Sequence, residues 1–107
     1  MCGICGIYNF DRTPVNHEKL KGMNNAMIHR GPDDEGYYIS ENMGLAMRRL
    51  SIIDIEKGHQ PIFNENGSLA VIMNGEIYNY RELREALVKR GHIFRTNSDT
   101  EVIVHLY

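Results

Sequence analysis

The sequence lacks the features that mark membrane, secreted and nucleic-acid-binding proteins. No stretch approaches the roughly 18 apolar residues of a membrane helix, and the N-terminus lacks the basic and apolar regions of a secretory signal. The 12 basic and 14 acidic residues are mixed along the chain and give a formal net charge of −2, so no basic patch favours nucleic acid and no polybasic segment favours a membrane. These absences predict a cytoplasmic protein with a small-molecule partner.

Cysteine is also scarce, because only two of the 107 residues are cysteines. In a reducing compartment two cysteines are expected to be free thiols rather than a structural disulfide. The rest of the composition is ordinary for a globular protein, with 42 % hydrophobic residues, 24 % charged residues and no internal repeat, and it allows one small domain. Strand signals interspersed with helix signals, without regular βαβ alternation, predict an α+β fold in which antiparallel sheet carries helices on its outer face.

Local patterns place the elements along the chain. In the first half they predict a strand at 4–10, a helix capped by Asn16 and ended by Gly31-Pro32, and a hairpin of strands at 36–40 and 44–49. In the second half they predict a turn at 65–67, a buried strand at 69–73, a helix from a capping box at 79–82 to Gly91, a strand at 92–95, and a helix after a second capping box at 98–101. The last helix is short and has no C-terminal signal, so we expect the sequence to be a fragment.

Cys2 stands directly behind the initiator Met1. Removal of Met1 would make Cys2 N-terminal, and its own α-amino group, with a reference pKa of about 7.7 to 8.0, could then take the thiol proton directly or through a water. One residue would supply both nucleophile and base. The alternative is that Cys2 is a small buried residue at the start of a strand.

Cys5 completes a CxxC pattern with Cys2, which is typical of redox enzymes and zinc sites. The five histidines are scattered, however, and none pairs with another at the spacing that would complete a zinc site, so no metal site is expected. A thioredoxin-like pair would open a helix, whereas this pair opens a predicted strand. Cys5 is therefore interpreted as a small packing residue.

Three further positions have both a structural and a functional interpretation. Asn74-Gly75 is either a plain hairpin turn or a pair of amide donors at a strand end, the kind that an oxyanion hole requires. Arg49, in the pair Arg48-Arg49, is either solvated or presents its guanidinium to a carboxylate. Asp99 is either a favourable charge in the first turn of the last helix or a ligand contact.

Taken together, five segments in this order resemble the class II glutamine amidotransferase domain, in the version fused to glutamine-hydrolysing asparagine synthetase. The resemblance spans residues 1–107 and rests on Cys2-Gly3-Ile4, His29-Arg30-Gly31-Pro32-Asp33, Arg49-Leu50-Ser51-Ile52-Ile53-Asp54, Asn74-Gly75-Glu76-Ile77-Tyr78-Asn79 and Ser98-Asp99-Thr100-Glu101-Val102. It implies the N-terminal nucleophile hydrolase fold, a sandwich of antiparallel sheets flanked by helices (αββα), of which this chain would hold the N-terminal part.

The resemblance also implies roles for single residues. Cys2, exposed by processing of Met1, would attack the side-chain amide of glutamine, and Asn74 and Gly75 would stabilise the oxyanion. Arg49 and Asp99 would bind the carboxylate and the ammonium of glutamine. The remaining substrate-binding residues implied are Leu50, Ser51, Ile52, Ile53 and Glu76.

The resemblance further implies partners outside this stretch. Ammonia would pass to a C-terminal synthetase domain, absent here, which activates aspartate with ATP and magnesium, while residues 1–107 would need no cofactor. The sequence is silent on oligomeric state, and a homodimer is left open. The alternatives are a non-catalytic module that binds glutamine or a partner, and another class II amidotransferase with a different ammonia acceptor.

Overall fold

The computed structural model describes residues 2–50 and 59–107. These residues form three helices and five strands, and none of the helices is long and apolar enough to cross a membrane. In chain order the elements are β1 (Gly3–Tyr8), α1 (His17–Asn25), β2 (Asp34–Ser40), β3 (Met43–Arg49), β4 (Ile62–Phe63), β5 (Ala70–Val71), α2 (Tyr80–Lys89) and α3 (Glu101–Leu106).

The first sheet is antiparallel, with strand order β1-β3-β2. Because side chains alternate between the two faces of a strand, every second residue of β3 points toward α1. Gly44 gives α1 room, since a Cβ at this position would lie 3.0 Å from side-chain carbons of Leu20 and Val15. Val15, Leu20 and Ala46 are buried at this interface, which forms the core of the first half of the chain.

Helix α1 begins where the sequence predicts. The side chain of Asn16 accepts hydrogen bonds from the backbone N–H groups of Glu18 (2.9 Å) and Lys19 (3.3 Å), which satisfies two of the donors that a helix start leaves open. The β2–β3 hairpin also confirms the prediction, with Ser40 paired to Met43 next to the turn.

The second sheet, the antiparallel pair β4–β5, lies against the other face of the first sheet. The rings of Tyr38 and Phe63 meet across the two sheets with centroids 5.6 Å apart. A Cβ on Gly36 would overlap the carbonyl oxygen of Gln60, so β2 can approach this segment closely only because residue 36 is glycine. Helix α3 packs on β4 and β5, and α2 packs on α3. The layers therefore follow in the order α1, first sheet, second sheet, α3, and the predicted α+β class is confirmed.

Three local predictions in the second half are wrong. The strand expected at 69–73 covers only Ala70–Val71, and these two residues are half-buried rather than buried. Residues 92–95 form no strand, because their backbone turns toward Glu101 instead of pairing with a sheet. Neither capping box has its expected hydrogen bonds: Asn79 caps α2 without a side-chain bond, and Glu101 accepts from the N–H groups of Arg95 and Thr96 rather than from Ser98.

The left-handed residue after α2 is confirmed. Gly91 follows the helix with a φ of 96°, a conformation that glycine adopts at little cost. It turns the chain back so that the N–H of His92 donates to the carbonyl oxygen of Leu87.

Candidate active site

Cys2 and Cys5 belong to opposite faces of the first sheet. In the β1–β3 register, Gly3 pairs with Arg48 and Cys5 pairs with Ala46, a core residue next to α1. Strand alternation then puts Cys2, one residue before Gly3, on the face turned away from α1. Neither cysteine is in a disulfide, and residues three apart along an extended strand are separated by about 10 Å. The CxxC pattern therefore does not form a redox pair.

Cys5 has the environment of a packing residue. It packs against the buried cluster of Val15, Leu20 and Ala46, and its burial raises the pKa of its thiol. A raised pKa leaves less of the nucleophilic thiolate at neutral pH. The interpretation of Cys5 as a small hydrophobic residue is confirmed.

The neighbouring arginines of β3 are also divided between the two faces. Arg48 points toward α1, where it donates to the Asn25 side-chain oxygen (2.6 Å) and forms an ion pair with Glu35 (2.9 Å). Arg49 points to the face of Cys2 and is 9 % exposed. The solvated-pair alternative is wrong, because both side chains are buried.

Residues 29–33 wrap the end of β3 beside Cys2. Arg30 donates from its Nε to the carbonyl oxygen of Cys2 at 3.2 Å, and Asp33 donates its N–H to the carbonyl oxygen of Arg49 at 3.1 Å. Gly31 is required here, because a Cβ would overlap the backbone of Arg48 and Arg49. The predicted helix end at Gly31-Pro32 is wrong, because α1 ends at Asn25 and residues 29–33 form a loop that hydrogen-bonds to Cys2 and to the end of β3.

Asn74 and Gly75 are exposed and lie between β5 and α2. The plain hairpin alternative is wrong, since the chain continues into a helix rather than a second strand. The segment is held by Gln60, whose side chain accepts from the N–H of Met73 at 2.8 Å and donates to the Met73 carbonyl oxygen at 3.3 Å. Gln60 is buried against Gly36, on the same face of the first sheet as Cys2 and Arg49.

Asp99 lies two residues before α3, not in its first turn. Its Oδ2 accepts a hydrogen bond of 2.7 Å from the N–H of Ile77, three residues beyond Asn74. The helix-dipole alternative is therefore wrong as stated, and the carboxylate instead fixes the segment that carries Asn74 and Gly75.

Known proteins share this sequence over its whole length. A sequence profile of the glutamine amidotransferase domain matches residues 1–107. The chain belongs to the glutamine amidotransferase domain family. Glutamine-hydrolyzing asparagine synthetases 2 and 1 of Bacillus subtilis (strain 168) are 53 % and 48 % identical over 111 and 110 residues, which cover 100 % of this chain and 14 % and 17 % of those proteins. A probable glutamine-hydrolyzing asparagine synthetase of Dictyostelium discoideum is 44 % identical over 109 residues, which cover 100 % of this chain and 20 % of that protein. The chain thus spans about a fifth or less of the length of these relatives.

In this glutamine amidotransferase domain, the described residues among those predicted from sequence fall into three groups. Cys2 and Arg49 share one face of the first sheet. Asn74 and Gly75 lie in a segment that Gln60 holds through Met73 and that Asp99 holds through Ile77. Leu50 and Glu76 are exposed. The predictions for Ser51, Ile52 and Ile53 lie outside the described residues.

An open groove of about 370 Å³ lies beside the Arg30–Cys2 contact, lined by His29, Arg30, Pro32 and Leu50. A larger groove of about 460 Å³ runs along α2 between Tyr80 and Asn97 and contains none of the predicted site residues. Of these two grooves, the first is lined by one predicted site residue, Leu50, and by Arg30, which contacts Cys2. Sequence reasoning missed Arg30 and Gln60 as site-building residues, because both act through backbone contacts with residues distant in sequence.

Proposed function

We propose that this chain is the glutaminase part of an asparagine synthetase and adopts the N-terminal nucleophile hydrolase sandwich (αββα). The layer order α1, first sheet, second sheet, α3 supports this fold assignment. After removal of Met1, Cys2 carries both the attacking thiol and the free α-amine. The contact from Arg30 to the Cys2 carbonyl oxygen leaves both of these groups available.

In the proposed reaction, the α-amine of Cys2 takes the thiol proton and the thiolate attacks the side-chain amide carbon of glutamine. The carbonyl oxygen becomes an oxyanion, which accepts hydrogen bonds from the side-chain amide of Asn74 and the N–H of Gly75. Loss of one such donor typically costs about 3 kcal/mol of transition-state stabilisation. Collapse of the intermediate returns the proton to the departing nitrogen as ammonia and leaves a γ-glutamyl thioester, which water hydrolyses to glutamate.

Glutamine is recognised in this proposal through its charged ends. The Arg49 guanidinium pairs with the α-carboxylate, and the burial of Arg49 favours a tight charge-assisted contact. Asp99 binds the ammonium group while its Oδ2 holds Ile77. The backbone of residues 50–53 and Glu76 complete the pocket.

The ammonia acceptor is proposed from the relatives, whose names describe asparagine synthesis. A C-terminal synthetase domain would use ATP and magnesium to activate aspartate and would consume the ammonia. We extend the proposal to a cytoplasmic location and to a homodimer.

The observation that carries the proposal is the separation of the two thiols onto opposite faces, with Cys2 on the face of Arg49. The test uses the full-length protein, its Cys2→Ala variant and its matched Cys5→Ala variant. Ammonia release from glutamine should be abolished only in Cys2→Ala. A glutamine-analogue electrophile should add one mass equivalent at Cys2, on a chain that has lost Met1.

A different outcome would favour the second candidate, a non-catalytic module that binds glutamine or a partner. Retention of Met1 would leave the free amine on Met1 and remove the proposed base. Ammonia release that persists in Cys2→Ala and disappears in Cys5→Ala would contradict the assignment of the nucleophile.

A further inference from the structure

Three potential metal ligands converge in the second half of the chain, and none of them is a residue of the proposed glutaminase site. Glu65 comes from the turn between β4 and β5, His92 from the chain after α2, and His105 from α3. Their ligand atoms all lie within 4.8 Å of one another. Glu65 bridges the two rings, with its Oε2 2.9 Å from His92 Nδ1 and its Oε1 2.9 Å from His105 Nδ1.

A second carboxylate orients the His105 ring through the ring nitrogen that does not face Glu65. Its side chain is completely buried, and its Nε2 lies 2.9 Å from Oε2 of Glu101, which is 1 % exposed. Glu101 is itself fixed by the N–H groups of Arg95 and Thr96. When Nε2–H donates to Glu101, the Nδ1 lone pair points toward Glu65 and His92, which is the outer-shell arrangement that orients metal-binding histidines.

We propose that Glu65, His92 and His105 bind a divalent transition-metal ion of the zinc type. Two imidazoles and one carboxylate form a ligand set that zinc uses, and the fourth position would be taken by water. His92 and Glu65 are 33 % and 35 % exposed, so solvent can reach that position. Coordination releases the proton from Nδ1 of any imidazole that carries one there, and Nε2 of His105 keeps the proton donated to Glu101.

Holding the ion requires the three side chains to rearrange around it. Ligand atoms around a tetrahedral zinc with bonds of about 2.0–2.1 Å lie about 3.3 Å apart. The two contacts of 2.9 Å would therefore open by a few tenths of an ångström, and the widest separation, which is within 4.8 Å, would close by up to about 1.5 Å. The side chain of His92, which carries the more exposed ring, can supply this movement. The bound ion would tie together the β4–β5 turn, the chain after α2 and the helix that follows Asp99.

The test measures metal binding by the full-length protein after removal of metals with a chelator, in excess Mg²⁺ so that magnesium-preferring sites are filled. Zn²⁺ binding is followed by calorimetry, and Co²⁺ binding by the visible absorption of a four-coordinate site. The test variants are His92→Gln and Glu65→Gln, which change partly exposed side chains and spare the buried His105. His59→Gln is the matched control, because His59 is also exposed and paired with a carboxylate, at 2.7 Å from Asp34.

We expect one metal equivalent with nitrogen and oxygen ligands. Loss of an outer-shell partner typically weakens metal binding about 10- to 100-fold, so loss of a direct ligand in either test variant should weaken it by at least about 100-fold. The His59→Gln variant should bind like the wild type. The proposal is overturned if the wild type binds neither ion, if binding survives in His92→Gln, or if the cobalt spectrum shows thiolate ligation by Cys2 or Cys5.

Discussion

The two faces of the first sheet carry similar residues with different consequences. The face toward α1 holds Cys5 and Arg48, which pack and form internal hydrogen bonds. The opposite face holds Arg49, with Cys2 at its edge, and turns toward the second sheet. Whether a residue stands at an odd or an even position along the strand thus decides whether its thiol or guanidinium is structural or a candidate functional group. Residue type alone could not have made this distinction.

The largest effect is expected from adding one methyl group to the face of the first sheet that turns toward the second sheet. Gly36→Ala places a Cβ on the backbone carbonyl of Gln60, a residue whose side chain is hydrogen-bonded to the backbone of Met73, the residue before Asn74. We expect a loss of about 3 kcal/mol or more in the free energy of unfolding, at the upper end of overpacking costs, together with loss of glutaminase activity. Urea unfolding and ammonia release from glutamine measure the two effects.

Gly44→Ala is the matched substitution on the face toward α1. Its Cβ would meet side-chain carbons rather than backbone, those of Leu20 and Val15 at 3.0 Å and of Ile39 at 3.6 Å, and side chains can shift more easily than backbone. A loss of about 1–2 kcal/mol with activity retained in the folded protein is expected. If Gly44→Ala lost activity while Gly36→Ala kept it, the assignment of the site to the second face would be wrong.

Substitutions of Arg48 and Arg49 test the same comparison of the two faces through substrate binding and fold stability. Arg49→Gln removes the proposed partner of the substrate carboxylate, and hydrogen bonds to charged groups contribute about 1.5–3 kcal/mol, so kcat/KM for glutamine should fall about 10- to 100-fold. Arg48→Gln instead loses the contacts to Asn25 and Glu35 and should destabilise the fold by about 2 kcal/mol with little change in KM. Steady-state kinetics and thermal unfolding of both variants separate the two roles. If Arg48→Gln lowered kcat/KM and Arg49→Gln mainly destabilised the fold, the roles assigned to the two faces would have to be exchanged.

The sequence predicted the parts of the fold that depend on local chemistry. The Asn16 cap, the β2–β3 hairpin and Gly91 all rest on neighbours a few residues apart, and all three are confirmed. The strand expected at 92–95 does not form, because carboxylates take its backbone donors: Arg95 donates to Glu101, and Ile93 donates to Glu65, which is 28 residues away along the chain. Tertiary contacts override strand propensity in such short segments.

The sequence supplies the candidate site residues but not the contacts that bring them together. Cys2, Arg49, Asn74 and Asp99 are predicted from motifs, whereas Gln60 holds Met73, the residue before Asn74, beside the first sheet. Gln60 has no motif of its own, since its side chain acts by pairing with the backbone of Met73. The cluster of Glu65, His92 and His105 was invisible for a related reason: its members are separated by 27 and 13 residues, far outside the spacing of sequence metal motifs.

The smallest expected effect is a lowered reactivity of the Cys5 thiol at neutral pH. Burial raises the pKa of Cys5, so the thiolate of Cys5 should form at higher pH than that of an ordinary cysteine. In the Cys2→Ala variant, which leaves Cys5 as the only cysteine of this chain, we expect iodoacetamide to modify Cys5 slowly at neutral pH and faster as the pH rises. Peptide mass spectrometry of timed samples measures the rate at Cys5, and a free cysteine in a short unstructured peptide is the control. If Cys5 were modified as fast as the peptide cysteine at every pH, the face toward α1 would not shield its thiol. The physical difference on which the comparison of the two faces rests would then be removed.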